Sequence, residues 1–211
     1  MCRLLCVRAE QPFEMRRHLE AFAEVSRDSK EYQGHGWGCA WLEAGEWRMY
    51  RNIDPIWEDH DTLHGQTTLM LAHARSAFRD EGIRVENNMP FVDGQYAFAF
   101  NGELRGVRIR EQGRIGAEKV FNYIKRFDKG DMLHALERGV SIIERRTRYV
   151  RAINIIMASA RNVYVASRFN EDPEYFQMRT HRKDGVHVLC SEAYPGEADW
   201  SPVPNGTIDC F

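Results

Sequence analysis

An α+β domain of mostly antiparallel sheets is the fold class this chain predicts, and three observations lead to it. Short apolar segments come first, two amphipathic segments follow in tandem, and further apolar segments close the chain. No stretch rich in Pro, Ser or Gly separates these blocks, and no repeat divides them. The 211 residues are therefore expected to form one domain, 1–211, long enough for a well-buried core and short for two.

The elements follow in order. Residues 2–8 are short and mostly apolar, as in a buried strand. Residues 13–29 place Phe13, Leu19, Phe22 and Val25 on or near one face, which predicts an amphipathic helix. Segments 37–43 and 47–51 flank Ala44-Gly45-Glu46 and predict a hairpin. Residues 67–74 and 95–100 read as two more buried strands. Helices are expected over 116–127 and 131–146, then strands over 152–159, 162–168, 186–190 and 207–211.

Composition excludes several classes of function. A formal charge of -2 lacks the basic excess that phosphate backbones demand, so no nucleic-acid partner is expected. No apolar run approaches the ~20 residues that span a bilayer, and the opening MCRLLCVRAEQPF is not a secretory signal. The 5 cysteines show no CxxC spacing, so neither a metal site nor a disulfide framework is expected. The chain reads as cytoplasmic, with reduced thiols and no cofactor.

Cys2 is the most informative residue. Removal of Met1 would give it a free α-amine beside its thiol. Such an amine titrates near ~8, so it can act as general base while the thiol is the nucleophile. A second feature is Asn101-Gly102, after the apolar QYAFAF. Alone it could be a plain hairpin turn. That is the ordinary reading of such a pair; the functional reading is an oxyanion hole, with the Asn amide and a backbone N–H converging on one point. Arg75 ends LMLAHAR, where a guanidinium at a strand tip suits a substrate carboxylate; a solvated surface arginine is the ordinary alternative. His73 shares its side of that strand and reads as a structural, hydrogen-bonded histidine. The run Gly34-His35-Gly36-Trp37-Gly38 has three glycines in five residues and is expected to form a rim beside the nucleophile, with Trp37 a substrate-binding candidate.

Taken together, MCRLL, GHGWGCAWL, LAHAR, NNMPF, FNGEL and the closing VLCSEAY…WSPVPNG occur in the order found in class II glutamine amidotransferase domains. The chain resembles that family, part of the N-terminal nucleophile hydrolase superfamily, over essentially its whole length. The resemblance implies a four-layer αββα sandwich. It implies Cys2 as nucleophile with its own amine as base, Asn101 and Gly102 as oxyanion donors, and Arg75 as the grip on a glutamine carboxylate.

The chain departs from the family at two places. Gly116 stands where an Asp usually pairs with the glutamine α-ammonium, although Glu118 matches the acid that follows and is a substrate-binding candidate for that ammonium. Phe78 stands where a small hydroxyl residue is common. Glu103 reads as a solvated loop acid or a binder of a substrate amine. The arginines at 105, 108, 110 and 114, and at 145, 146, 148 and 151, read as solvated faces or as a site for an anionic ligand or acidic partner. Cys6 and Cys39 read as core residues.

The leading expectation is an amidohydrolase that cleaves glutamine or a γ-glutamyl compound through a Cys2 thioester. No attached synthetase or isomerase domain is expected, so it would work alone or pass ammonia to a partner enzyme. A non-catalytic binding protein of the same fold is the alternative from a different class. A third reading is an N-terminal-cysteine amidase for an unrelated acyl amide, which would need an apolar acyl pocket in place of Arg75.

Overall fold

The computed structural model describes residues 1–77 and 82–211. Two antiparallel sheets lie face to face. The larger has the order β11-β9-β10-β1-β4-β2-β3 and the smaller β12-β8-β7-β6-β5. Their central strands are β1 (Arg3–Glu14), β2 (Trp37–Glu43), β4 (Gln66–Ala74), β6 (Ala97–Val107), β7 (Thr147–Ala158), β8 (Val163–Phe169) and β10 (Val186–Cys190). The outer ones are β3 (Glu46–Asn52), β5 (Phe91–Val92), β9 (Arg179–Lys183), β11 (Ser201–Pro202) and β12 (Thr207–Cys210).

Strand alternation assigns each face. Leu4 and Cys6 of β1 enter the layer between the sheets, while Leu5 and Val7 face α1 (Met15–Arg27). Helix α1 buries Met15, Leu19, Phe22 and Ala23 at three- and four-residue spacing, so one stripe lies on the larger sheet. Truncating Phe22 there would cost about 3–5 kcal/mol. A short α2 (Ile56–Asp59) also packs on α1, and on the opposite side α3 (Gly116–Lys125) and α4 (Met132–Arg145) cover the smaller sheet, with α4 against β7, β8 and β12. Asp131 caps α4 by accepting a hydrogen bond from the His134 backbone N–H at 3.0 Å. Helix, sheet, sheet and helix make the four layers that the resemblance implies.

Several boundaries differ from those read in the sequence. The hairpin falls where expected, because Ala44 and Gly45 both take positive φ, at 51° and 83°, as a tight two-residue turn demands. The 95–100 strand instead runs to Val107, passing straight through Asn101-Gly102. Asn101 lies opposite Asn154 and Gly102 opposite Ile153 on β7, so the Asn-Gly pair is mid-strand and not a turn.

A candidate active site between the sheets

Antiparallel register performs the first step of assembly. Arg3 pairs with Ala74. Cys2, just before β1, is therefore carried beside Arg75, just after β4. The smaller sheet then presents Phe100, Gly102 and Glu103 of β6 to the same place. Cys2, Arg75 and Gly102 thus line one cleft of about 930 Å³, a size that accommodates a small-molecule substrate.

Arg75 is buried and held from several sides. Its Nη1 donates to Asn88 Oδ1 at 3.2 Å and its Nη2 to the Gly82 carbonyl at 2.9 Å. Its backbone N–H donates to the Gly36 carbonyl at 2.9 Å, and its own carbonyl accepts from His35 N–H at 3.1 Å. The glycine-rich loop therefore backs the arginine and does not rim the nucleophile. Gly36 has φ 99°, and a β-carbon there would lie 2.2 Å from Asn88 Nδ2, so only glycine fits. Asn88, from NNMPF, is the orienting residue that sequence reasoning passed over. Phe78 lies outside the described residues.

Asn101 is 1% exposed, and neither its Nδ2 nor its Oδ1 has a hydrogen-bond partner among the described residues. An unsatisfied buried amide costs on the order of 1–3 kcal/mol, which makes it unusual unless a ligand supplies the partner. Its neighbour Gly102 lines the cleft. A β-carbon at Gly102 would stand 2.1 Å from the Ala152 carbonyl oxygen on β7, so close strand approach alone requires glycine there.

The Cys2 thiol is pushed above its ordinary range by burial; the amino terminus and Arg75 pull the other way. Its Sγ lies 3.7 Å from the Ser76 carbonyl. With Met1 in place, the terminal amine pairs with Glu31, and the Met1 carbonyl accepts hydrogen bonds from Gln33 Nε2 at 2.7 Å and from Tyr175 Oη. No motif in the sequence points to Glu31, Gln33 or Tyr175, which gather here only through folding. Arg151 links Glu31, Glu103 and Asp172, at 3.4, 3.4 and 2.6 Å. Glu103, which reads as a loop acid in the sequence, sits on a strand and lines the cleft, also paired with Arg105.

Two expected substrate-binding residues are not brought to the cleft. Trp37 is fully buried on the α1 side of its sheet and donates from Nε1 to Asp59 at 2.8 Å. The alternation of β2 sends Trp37 and Cys39 outward toward the helix, and Gly38 and Ala40 inward. Glu118 turns back along α3 to Arg114, with its Oε1 2.6 Å from Nη2. Gly116, Ala117 and Lys119 line the cleft, whereas Glu118 does not. His73, expected to be hydrogen-bonded, is instead buried without a partner for either ring nitrogen among the described residues, and burial lowers it to about 3, so it stays neutral.

The fold is the one seen in class II glutamine amidotransferase domains. A glutamine aminotransferase class-II domain protein from Silicibacter pomeroyi superposes with a TM-score of 0.68 at 18% identity, covering 99% of this chain and 94% of that one. Glutamine phosphoribosylpyrophosphate amidotransferase from B. subtilis gives 0.66 at 15% identity, over 90% of this chain and 42% of its own. In sequence, the chain is similar to γ-glutamyl-hercynylcysteine sulfoxide hydrolase of Mycolicibacterium smegmatis. The two are 28% identical over 178 residues, 81% of this chain and 74% of that enzyme. No family model matches the chain.

Proposed function

We propose that the chain is an amidohydrolase of the glutamine amidotransferase type, acting on a γ-glutamyl amide through a thioester on Cys2. The observation that carries this is the buried, unpartnered amide of Asn101 beside Gly102, at a cleft that also holds Cys2 and Arg75. After Met1 is removed, the Cys2 α-amine takes the thiol proton and the thiolate attacks the amide carbon. The oxygen becomes an oxyanion, received by Asn101 Nδ2 and the Gly102 N–H. The C–N bond then breaks, the amine leaves with the proton from the ammonium, and a thioester stays on Sγ. Water attacks that thioester with the same amine as base, releasing the γ-carboxylate and restoring the thiol.

Arg75 holds the substrate α-carboxylate, its two nitrogens having been set by Asn88 and Gly82. Glu103 takes the role expected of Glu118, as a carboxylate within the cleft for the α-ammonium. A γ-glutamyl compound larger than glutamine is favoured, because the cleft measures about 930 Å³ and no acid stands at Gly116. The similarity to a γ-glutamyl hydrolase supports the same choice.

Processed protein incubated with glutamine and a panel of γ-glutamyl amides checks this through the released amine. Bulky γ-glutamyl amides are expected to have the higher kcat/KM. A marked preference for glutamine would overturn the substrate assignment, and full activity with Met1 attached would overturn the mechanism.

A further inference from the structure

A second hollow, of about 640 Å³, lies on the far side of the segment that follows β6. Arg108 and Arg110 enter it from that segment, Arg126 from the end of α3, and Arg145 and Arg146 from the end of α4. Two runs of arginine remote in sequence are thus folded onto one concavity. Phe127 and Ile142 contribute an apolar floor. Chain alternation separates this hollow from the cleft: Val107 and Ile109 line the cleft, while Arg108 and Arg110 line the hollow.

The charges here are largely unopposed. Arg126 has an ion pair, with Glu111 at 3.4 Å, and donates to the Arg110 carbonyl at 3.1 Å. Arg108, Arg110, Arg145 and Arg146 have no ion-pair partner among the described residues. The negative ends of α3 and α4 explain cations at Arg126 and Arg145. They do not explain Arg108 and Arg110, which come from extended chain. Five guanidiniums around one hollow repel one another, in a protein whose formal charge is only -2.

We propose that this hollow binds a small organic di- or triphosphate. Adjacent phosphates carry enough oxygens and charge to engage several guanidinium forks at once, whereas a single carboxylate has two oxygens and one charge. The apolar floor suits an organic body next to the phosphates. A concave site of this volume fits a small molecule better than a nucleic-acid strand, which would want an extended basic stripe.

Calorimetric titration of the full chain with ADP and with inorganic pyrophosphate tests the proposal. ADP is expected to bind, and Arg110→Ala and Arg146→Ala are each expected to weaken it roughly 10–100-fold. Both side chains are exposed, so unchanged melting temperatures should accompany the loss. Phe127→Ala should weaken ADP more than pyrophosphate. Absence of binding by either probe, or binding indifferent to the arginine changes, would overturn it. So would equal response of both probes to Phe127→Ala, or capture of oligoglutamate in place of ADP, which would mark an acidic protein surface.

Discussion

Arg75, which lines the cleft, and Asn101, next in sequence to the cleft-lining Gly102, are buried polar groups in opposite states. At Arg75, the larger sheet and its loops grip the guanidinium through Asn88 and Gly82 before any ligand arrives. At Asn101, the smaller sheet buries an amide and leaves both of its polar atoms without a partner among the described residues. A pre-positioned cation binds a carboxylate equally well before and during reaction, because that carboxylate does not change. An unpartnered donor gains most when charge develops beside it. The two residues should therefore differ in kinetic signature, one acting on KM and the other on kcat.

Removing the atom that both residues serve gives the largest effect. Cys2→Ala is expected to abolish turnover while substrate binding persists, measured by calorimetry on the inactive chain. Detectable thioester or steady cleavage in that variant would assign the chemistry elsewhere. Next comes Asn101→Ala, expected to lower kcat by roughly 10²–10³ with KM little changed. A normal kcat in steady-state assays would erase the distinction between the two. Smallest is Arg75→Lys, expected to raise KM roughly tenfold with kcat nearly intact, since an ammonium keeps the charge but loses the fork. If instead kcat falls and KM holds, Arg75 acts on the transition state and the contrast collapses.

Much of the architecture was legible because it rests on periodicity. The hairpin turn at Ala44-Gly45 and helix α4 within 131–146 follow from local pattern alone. β9 was not legible: Arg179–Lys183 is a charged, half-exposed strand that carries no apolar alternation and exists by pairing with β10. The site divides similarly. Cys2, Arg75 and Gly102 stand out in the sequence by type and setting, and folding brings the three to one cleft. Trp37 misled because a tryptophan beside glycines reads as a rim, and strand parity, visible only with the register, sends it under α1. Glu118 misled because its partner Arg114 lies four residues back, just before α3, within easy reach. Glu31 and Tyr175 could not be read at all, since their place beside the amino terminus depends on long-range contacts.

The cysteines of this fold divide by depth, and that division has a use at the bench. Cys6, Cys39 and Cys190 are buried, and desolvation holds all three thiols far above neutrality, Cys6 and Cys190 at about 12. Cys2 and Cys210 alone are partly open to solvent. In a chain carrying Cys210→Ser and freed of Met1, Cys2 is expected to be the one sulfur that alkylating reagents reach, through the cleft that it lines. Alkylation by a chromogenic reagent becomes a count of competent molecules in any preparation, and the same sulfur becomes an anchor for a spectroscopic probe.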